Sequence, residues 1–145
     1  MKKRILASLV LLLLVGMALA GCNQGRALTG DEQTEVLSYT EPIADGMFSG
    51  LNANNYAEFS KDFGETMLVG LDEAAFADTK AMLDSKLGAY QSREVTGVAE
   101  IQENILVIYK AVFETAPEVT IRLSISTAEP HQVTGLWFDS PELRK

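Results

Sequence analysis

The chain has 145 residues, with 12 Lys and Arg against 20 Asp and Glu, a formal charge of −8 and a single cysteine. One cysteine excludes an internal disulfide, and scattered basic residues under a net acidic charge exclude a nucleic-acid surface. Apolar residues make up 47% of the chain, too many for a disordered one, so a folded domain is expected.

Lys2, Lys3 and Arg4 precede an apolar run at residues 5–20, giving the basic region and hydrophobic core of an export signal. The run is shorter than the roughly 20 apolar residues that a spanning helix needs. It ends in Leu19-Ala20-Gly21-Cys22, which resembles the lipobox of prokaryotic lipoproteins. That resemblance implies cleavage between Gly21 and Cys22, a diacylglycerol on Cys22, and a mature chain held on the extracytoplasmic face of a membrane. Ala18-Leu19-Ala20 also fits ordinary signal cleavage, which would release a soluble protein with a free thiol. The chemistry favours the anchor. An exposed thiol outside the cytoplasm oxidises whereas a thioether is inert, and two or more acyl chains hold where one does not.

Loss of residues 1–21 leaves nine basic residues against 20 acidic ones, a net charge of −11. Residues 22–30 read as the lipidated cysteine and a flexible tether, since they show no helical or strand period and carry Gly25 and Gly30. An anionic bilayer should repel the acidic domain that follows.

Residues 31–145 read as one domain. Over 31–51, Val36, Leu37, Thr40, Ile43, Ala44, Met47, Phe48 and Leu51 fall on one helical stripe, although Pro42 allows a kink or a start near Thr40. Asn55 caps a short helix carrying Tyr56 and Phe59, and Gly64 ends that segment. Asp72 caps a third helix that stops at Gly88. The period then changes to two. Strands are expected at 90–103, with a bulge at Gly97, at 105–113, at 118–126 and at 133–138, with residues 128–132 as a turn. Helices first and an antiparallel meander second describe an α+β domain, with N-terminal helices packed on a four-stranded sheet.

The helix, the short segment Asn55-Tyr56-Ala57-Glu58-Phe59, a third helix ending Lys86-Leu87-Gly88-Ala89-Tyr90, and the last strand Val133-Thr134-Gly135-Leu136-Trp137-Phe138 together resemble the nuclear-transport-factor-2-like superfamily. Within it, the likeness is to the domain-of-unknown-function family numbered 3887, over residues 31–140. This implies a cone, a curved antiparallel sheet wrapped over the helices, often with a pocket and often dimeric. The superfamily holds isomerases, dehydratases and many members without catalysis, so the fold alone assigns no activity.

The residues offer little catalytic material. His131 is the only histidine and reads as a solvated turn residue. No nucleophile elbow, phosphate-binding loop, calcium loop or Cys/His metal spacing occurs, so neither a cofactor nor a metal is expected. Glu41 and Asp45, one helical turn apart, read as a solvated face rather than a cation site. An isomerase would need a carboxylate beside Tyr109, and Glu94, Glu100 and Asp62 have no evident path to it. Tyr56, Phe59, Tyr109 and Trp137 read as core, or else as the lining of a pocket for a small apolar ligand. Leu106, Ile108 and Val112 beside Lys110, and Leu136 and Phe138 opposite Val133 and Trp137, leave two strands apolar on both faces. That pattern predicts a covered outer face, under a second copy, a partner protein, the first strand or the C-terminal tail. The expected function is non-catalytic binding by a membrane-anchored domain, with an isomerase or dehydratase using Tyr109 as the alternative.

Overall fold

A computed structural model describes residues 25–145. The export signal, Gly21 and Cys22 lie outside the described residues, and no described helix is long and apolar enough to cross a membrane.

In chain order the elements are β1 (Arg26–Ala27), α1 (Gly30–Asn52), α2 (Tyr56–Phe59), α3 (Glu65–Gly70), α4 (Glu73–Leu87), β2 (Tyr90–Ile101), β3 (Asn104–Phe113), β4 (Val119–Ser126), β5 (Val133–Asp139) and a 3-10 turn (Pro141–Arg144). The strands form one open antiparallel sheet in the order β1-β2-β3-β4-β5. It therefore has five strands rather than the expected four. Over residues 26–28 the extra strand replaces the expected flexible tether, whose residues 22–24 lie outside the described residues: Arg26 pairs with Glu100 and Ala27 with Ala99, the Leu28 amide donates to the Val98 carbonyl, and Leu28 is buried. Two residues are too few for a strand period, which hides β1 from the sequence.

Helix α1 starts at Gly30 and continues through Pro42 without ending there. Its buried stripe of Thr40, Ala44, Met47, Phe48 and Leu51 joins Phe59, Phe76, Leu83 and Leu87 over one face of the sheet. The expected caps form. The Asn55 side chain accepts from the Glu58 amide and that of Asp72 from the Ala75 amide, each satisfying an amide that the helix itself leaves free. Gly88 closes α4 with φ of +75°, a left-handed conformation that glycine adopts without strain. Helix α3 adds a fourth helix where three were expected, and it buries no residue, so no apolar stripe announces it.

The inner face of the sheet alternates cleanly. Val98, Ile105, Val107, Tyr109, Ala111, Phe113, Val119, Ile121, Leu123 and Ile125 are all buried against the helices. Three irregularities interrupt the alternation, the first where the pairing of β2 skips Gln91 between Tyr90 and Ser92. In β2 the pairing skips Thr96, the bulge expected beside Gly97, so Arg93 and Val95 share the inner face with Val98. In β5 the pairing skips Thr134, so Leu136 and Phe138 turn toward the core and Trp137 turns outward opposite Arg122. The expectation that Val133 and Trp137 share a face is thereby corrected, because one unpaired residue inverts every position after it.

Candidate functional site

Two places combine polar and apolar groups in ways that plain packing does not require. The first lies inside, where α1 crosses β2 and β3. The Tyr109 hydroxyl donates to Glu41 Oε1 at 2.6 Å, and Arg93 Nη2 donates to Glu41 Oε2 at 3.1 Å and to Asp45 Oδ1 at 2.6 Å. Arg93 Nη1 donates to the Tyr90 hydroxyl at 3.2 Å. The guanidinium carbon sits 5.3 Å from the Phe48 ring centre and 5.1 Å from that of Tyr109, so the cation is held between two aromatic faces. Its side chain is only 9% exposed, while that of Asp45 is 72% exposed at the rim.

A carboxylate does therefore reach Tyr109. It comes from the helix, not from Glu94, Glu100 or Asp62. The reading of this pair as a solvated face is corrected for Glu41, which turns to Tyr109 and Arg93, while Asp45 stays solvated at the rim with one oxygen on Arg93. Burial works against the Arg93 charge, yet hydrogen bonds to Tyr90 and Asp45 and the charge of Glu41 outweigh it and raise the pKa above its ordinary value. Tyr109 is raised well above 10, first by burial, then by donating to Glu41 and by that carboxylate's charge.

The Tyr109 shift has a measurable consequence. Above pH 10 the unfolded chain ionises this phenol while the folded chain keeps its proton, so stability falls as pH rises. The group's share of the loss is about 1.4 kcal/mol between pH 9 and pH 11. Unfolding free energies from urea titrations should drop by that much more in the native chain than in Tyr109→Phe over the same interval. Equal drops would refute the coupling.

The second place is the outer face of the sheet. Ile101, Gln102, Asn104, Leu106, Arg122, Ser124 and Trp137 surround an open hollow of about 450 Å³. The Trp137 indole sits against Gly135, where a Cβ would come within 2.6 Å of Cζ3, yet it remains 52% exposed. Only glycine at 135 leaves room for that seat. The C-terminal tail does not cover the hollow, because the Lys86 ammonium on α4 donates to the Lys145 carbonyl at 3.0 Å and holds the tail beside that helix. Strand β2 does not cover it either, since it pairs edge to edge with β3.

The four expected pocket residues do not meet. Phe59 is buried among Phe63 and Phe76, and Tyr56 packs on Phe76 with its hydroxyl donating to the Leu71 carbonyl at 3.0 Å. Tyr109 is fully buried, and Trp137 stands on the opposite face of the sheet. Trp137 as a core residue is corrected for the reason given by the Thr134 bulge. His131 does lie in the expected turn, but it is half-buried rather than solvated: it stacks on Tyr39 with ring centres 3.9 Å apart and places Nδ1 3.2 Å from the Ser126 carbonyl oxygen. Among the described residues no cluster of three His, Cys, Asp or Glu side chains could hold a metal ion. No protein-family model, curated protein or solved structure matches the chain.

Proposed function

We propose that this chain is an extracytoplasmic lipoprotein, anchored through Cys22, whose cone-type domain works by binding and not by catalysis. The single observation that carries the binding reading is the uncovered hollow around Trp137, because an exposed large apolar group in a polar rim marks a contact surface. The export signal and the lipobox-like Leu19-Ala20-Gly21-Cys22 support the anchor. Helices before an antiparallel meander support the resemblance to the nuclear-transport-factor-2-like cone.

The anchor is tested in cells of the source organism. Cys22→Ser should move the protein from the membrane fraction to the soluble one, and the native N-terminal peptide should carry the mass of a diacylglyceryl cysteine. An unmodified Cys22 in protein taken from membranes would defeat the assignment.

One observation favours the isomerase or dehydratase reading, the 2.6 Å bond between Tyr109 and Glu41. Against it, Tyr109 has no exposed surface and Arg93 already occupies the other carboxylate oxygen, so a substrate would have to displace both. The binding reading needs no such opening.

A further inference from the structure

Resting on the lipid anchor proposed above, we infer that the outer face of the sheet around Trp137, Ile101, Leu106 and Arg122 lies on the bilayer surface beside that anchor.

The first argument is the length of the leash. Three residue steps separate Cys22 from Gly25, at most about 11 Å of chain at roughly 3.6 Å per residue. Gly25 lies against the rim of the hollow itself, where a Cβ would come within 2.5 Å of Ile101 Cγ1. Any lipid on Cys22 therefore enters the membrane within reach of Ile101, and the sheet end carrying Ile101 and Asn104 cannot move far from the headgroups.

The second argument is chemical. Tryptophan and arginine beside aliphatic side chains are the residues that settle at the headgroup level, where an indole meets both apolar and polar surroundings. Trp137 faces Arg122 across β4 and β5, and among the described residues Arg122 forms no ion pair. A lipid phosphate would supply the missing anion while Ile101 and Leu106 meet the glycerol region.

The third argument is the distribution of charge. Twelve of the 20 acidic residues lie between Asp31 and Asp84, against only Lys61 and Lys80. That stretch forms the helical layer, on the side of the sheet away from the hollow. An anionic membrane repels this layer and turns it outward, which presents the outer sheet face to the lipid. The acidic charge thus orients the domain more than it lifts it away.

The contact itself can be weak. A short leash gives a local concentration of about millimolar order, so a surface contact of similar dissociation constant becomes populated once the anchor is in place. The free domain should then ignore vesicles while the tethered one docks.

Trp137 is the only tryptophan, and Cys22 the only cysteine, so both ends of the test are unique. The processed chain beginning at Cys22 is coupled through its thiol to a maleimide-bearing phospholipid in phosphatidylcholine vesicles. On coupling, Trp137 emission should shift to the blue and be quenched by phospholipids brominated near the glycerol end of the chain. Uncoupled protein with the same vesicles should keep the long-wavelength emission of an exposed indole. Arg122→Glu should reduce the quenching by about twofold or more when phosphatidylglycerol is included. Unshifted and unquenched emission after coupling would overturn the orientation. So would a blue shift that grows with protein concentration without vesicles, since the face would then meet a second copy. Because the lipid is attached chemically, this outcome is independent of whether cells acylate Cys22, and the native mass measurement decides that question separately.

Discussion

Arg93→Ala should lower the unfolding free energy by about 2 to 4 kcal/mol, read from urea denaturation at pH 7, with a fall in Tm of roughly 10 °C for a domain of this size. Breaking a buried ion pair by deleting one partner ordinarily costs about 3 to 5 kcal/mol, because the other charge is left without compensation. The figure is reduced here because the Glu41 and Asp45 side chains are 35% and 72% exposed and water can reach them. What remains is still large. The deletion leaves two carboxylates one helical turn apart with no cation between them, removes the cover from the Phe48 and Tyr109 rings, and cuts the charged ties from β2 to α1, leaving the bond from Asn52 to the Tyr90 carbonyl. Arg93→Lys should recover only part of the loss, since a point charge cannot fork between two carboxylates and a phenol while lying flat on two rings. Asp45→Asn, at the exposed rim, should cost less than about 1 kcal/mol. Equal losses in Arg93→Ala and Asp45→Asn would refute a buried role for the guanidinium.

This cluster also marks where sequence reasoning stops. The caps at Asn55 and Asp72, the alternation of β4 and the bulge beside Gly97 are local, and each follows from residues within a few positions of one another. The meeting of Glu41 with Arg93 spans 52 positions and depends on how α1 crosses the sheet. A carboxylate pair on a helix and an arginine in a polar strand each look solvated when read alone. Trp137 escapes the strand pattern for another reason. The skipped Thr134 is unexceptional as a residue, and only the pairing of Ser124 with Gly135 and Ile125 with Val133 exposes it. The nearest sequence signal was Gly135, a small residue inside a strand, which can indicate a side chain lying close over the backbone. The apolar character of both faces of β3 was legible and did lead to the outer surface, although not to Trp137 as its centre.

Gly50→Ala should destabilise the domain by about 3 kcal/mol, the upper part of the range for overpacking. The sign is the informative part. In an ordinary helix interior, alanine is favoured over glycine by about 1 kcal/mol, because the glycine backbone loses more freedom on folding. At Gly50 the added Cβ would clash with the Phe59 amide nitrogen, come within 2.8 Å of Phe59 Cα, and lie 3.0 Å from the Asn55 carbonyl oxygen. These are backbone atoms, so no side-chain rotation relieves them. Helix α2 would have to lift from α1, straining the bond from the Asn55 amide to the Gly50 carbonyl at 2.8 Å and shifting Phe59 against Phe63 and Phe76. Gly46, one turn earlier in the same helix, has nothing within 4 Å of its Cβ position and no left-handed φ. Gly46→Ala should therefore stabilise by about 0.5 to 1 kcal/mol. Measured side by side in urea, the two variants separate helix propensity from close approach. If both stabilise, α2 is not seated on Gly50. Opposite signs place the closest approach of the two helices at that residue, and make Gly50 the position that fixes how α2 carries Phe59 into the core.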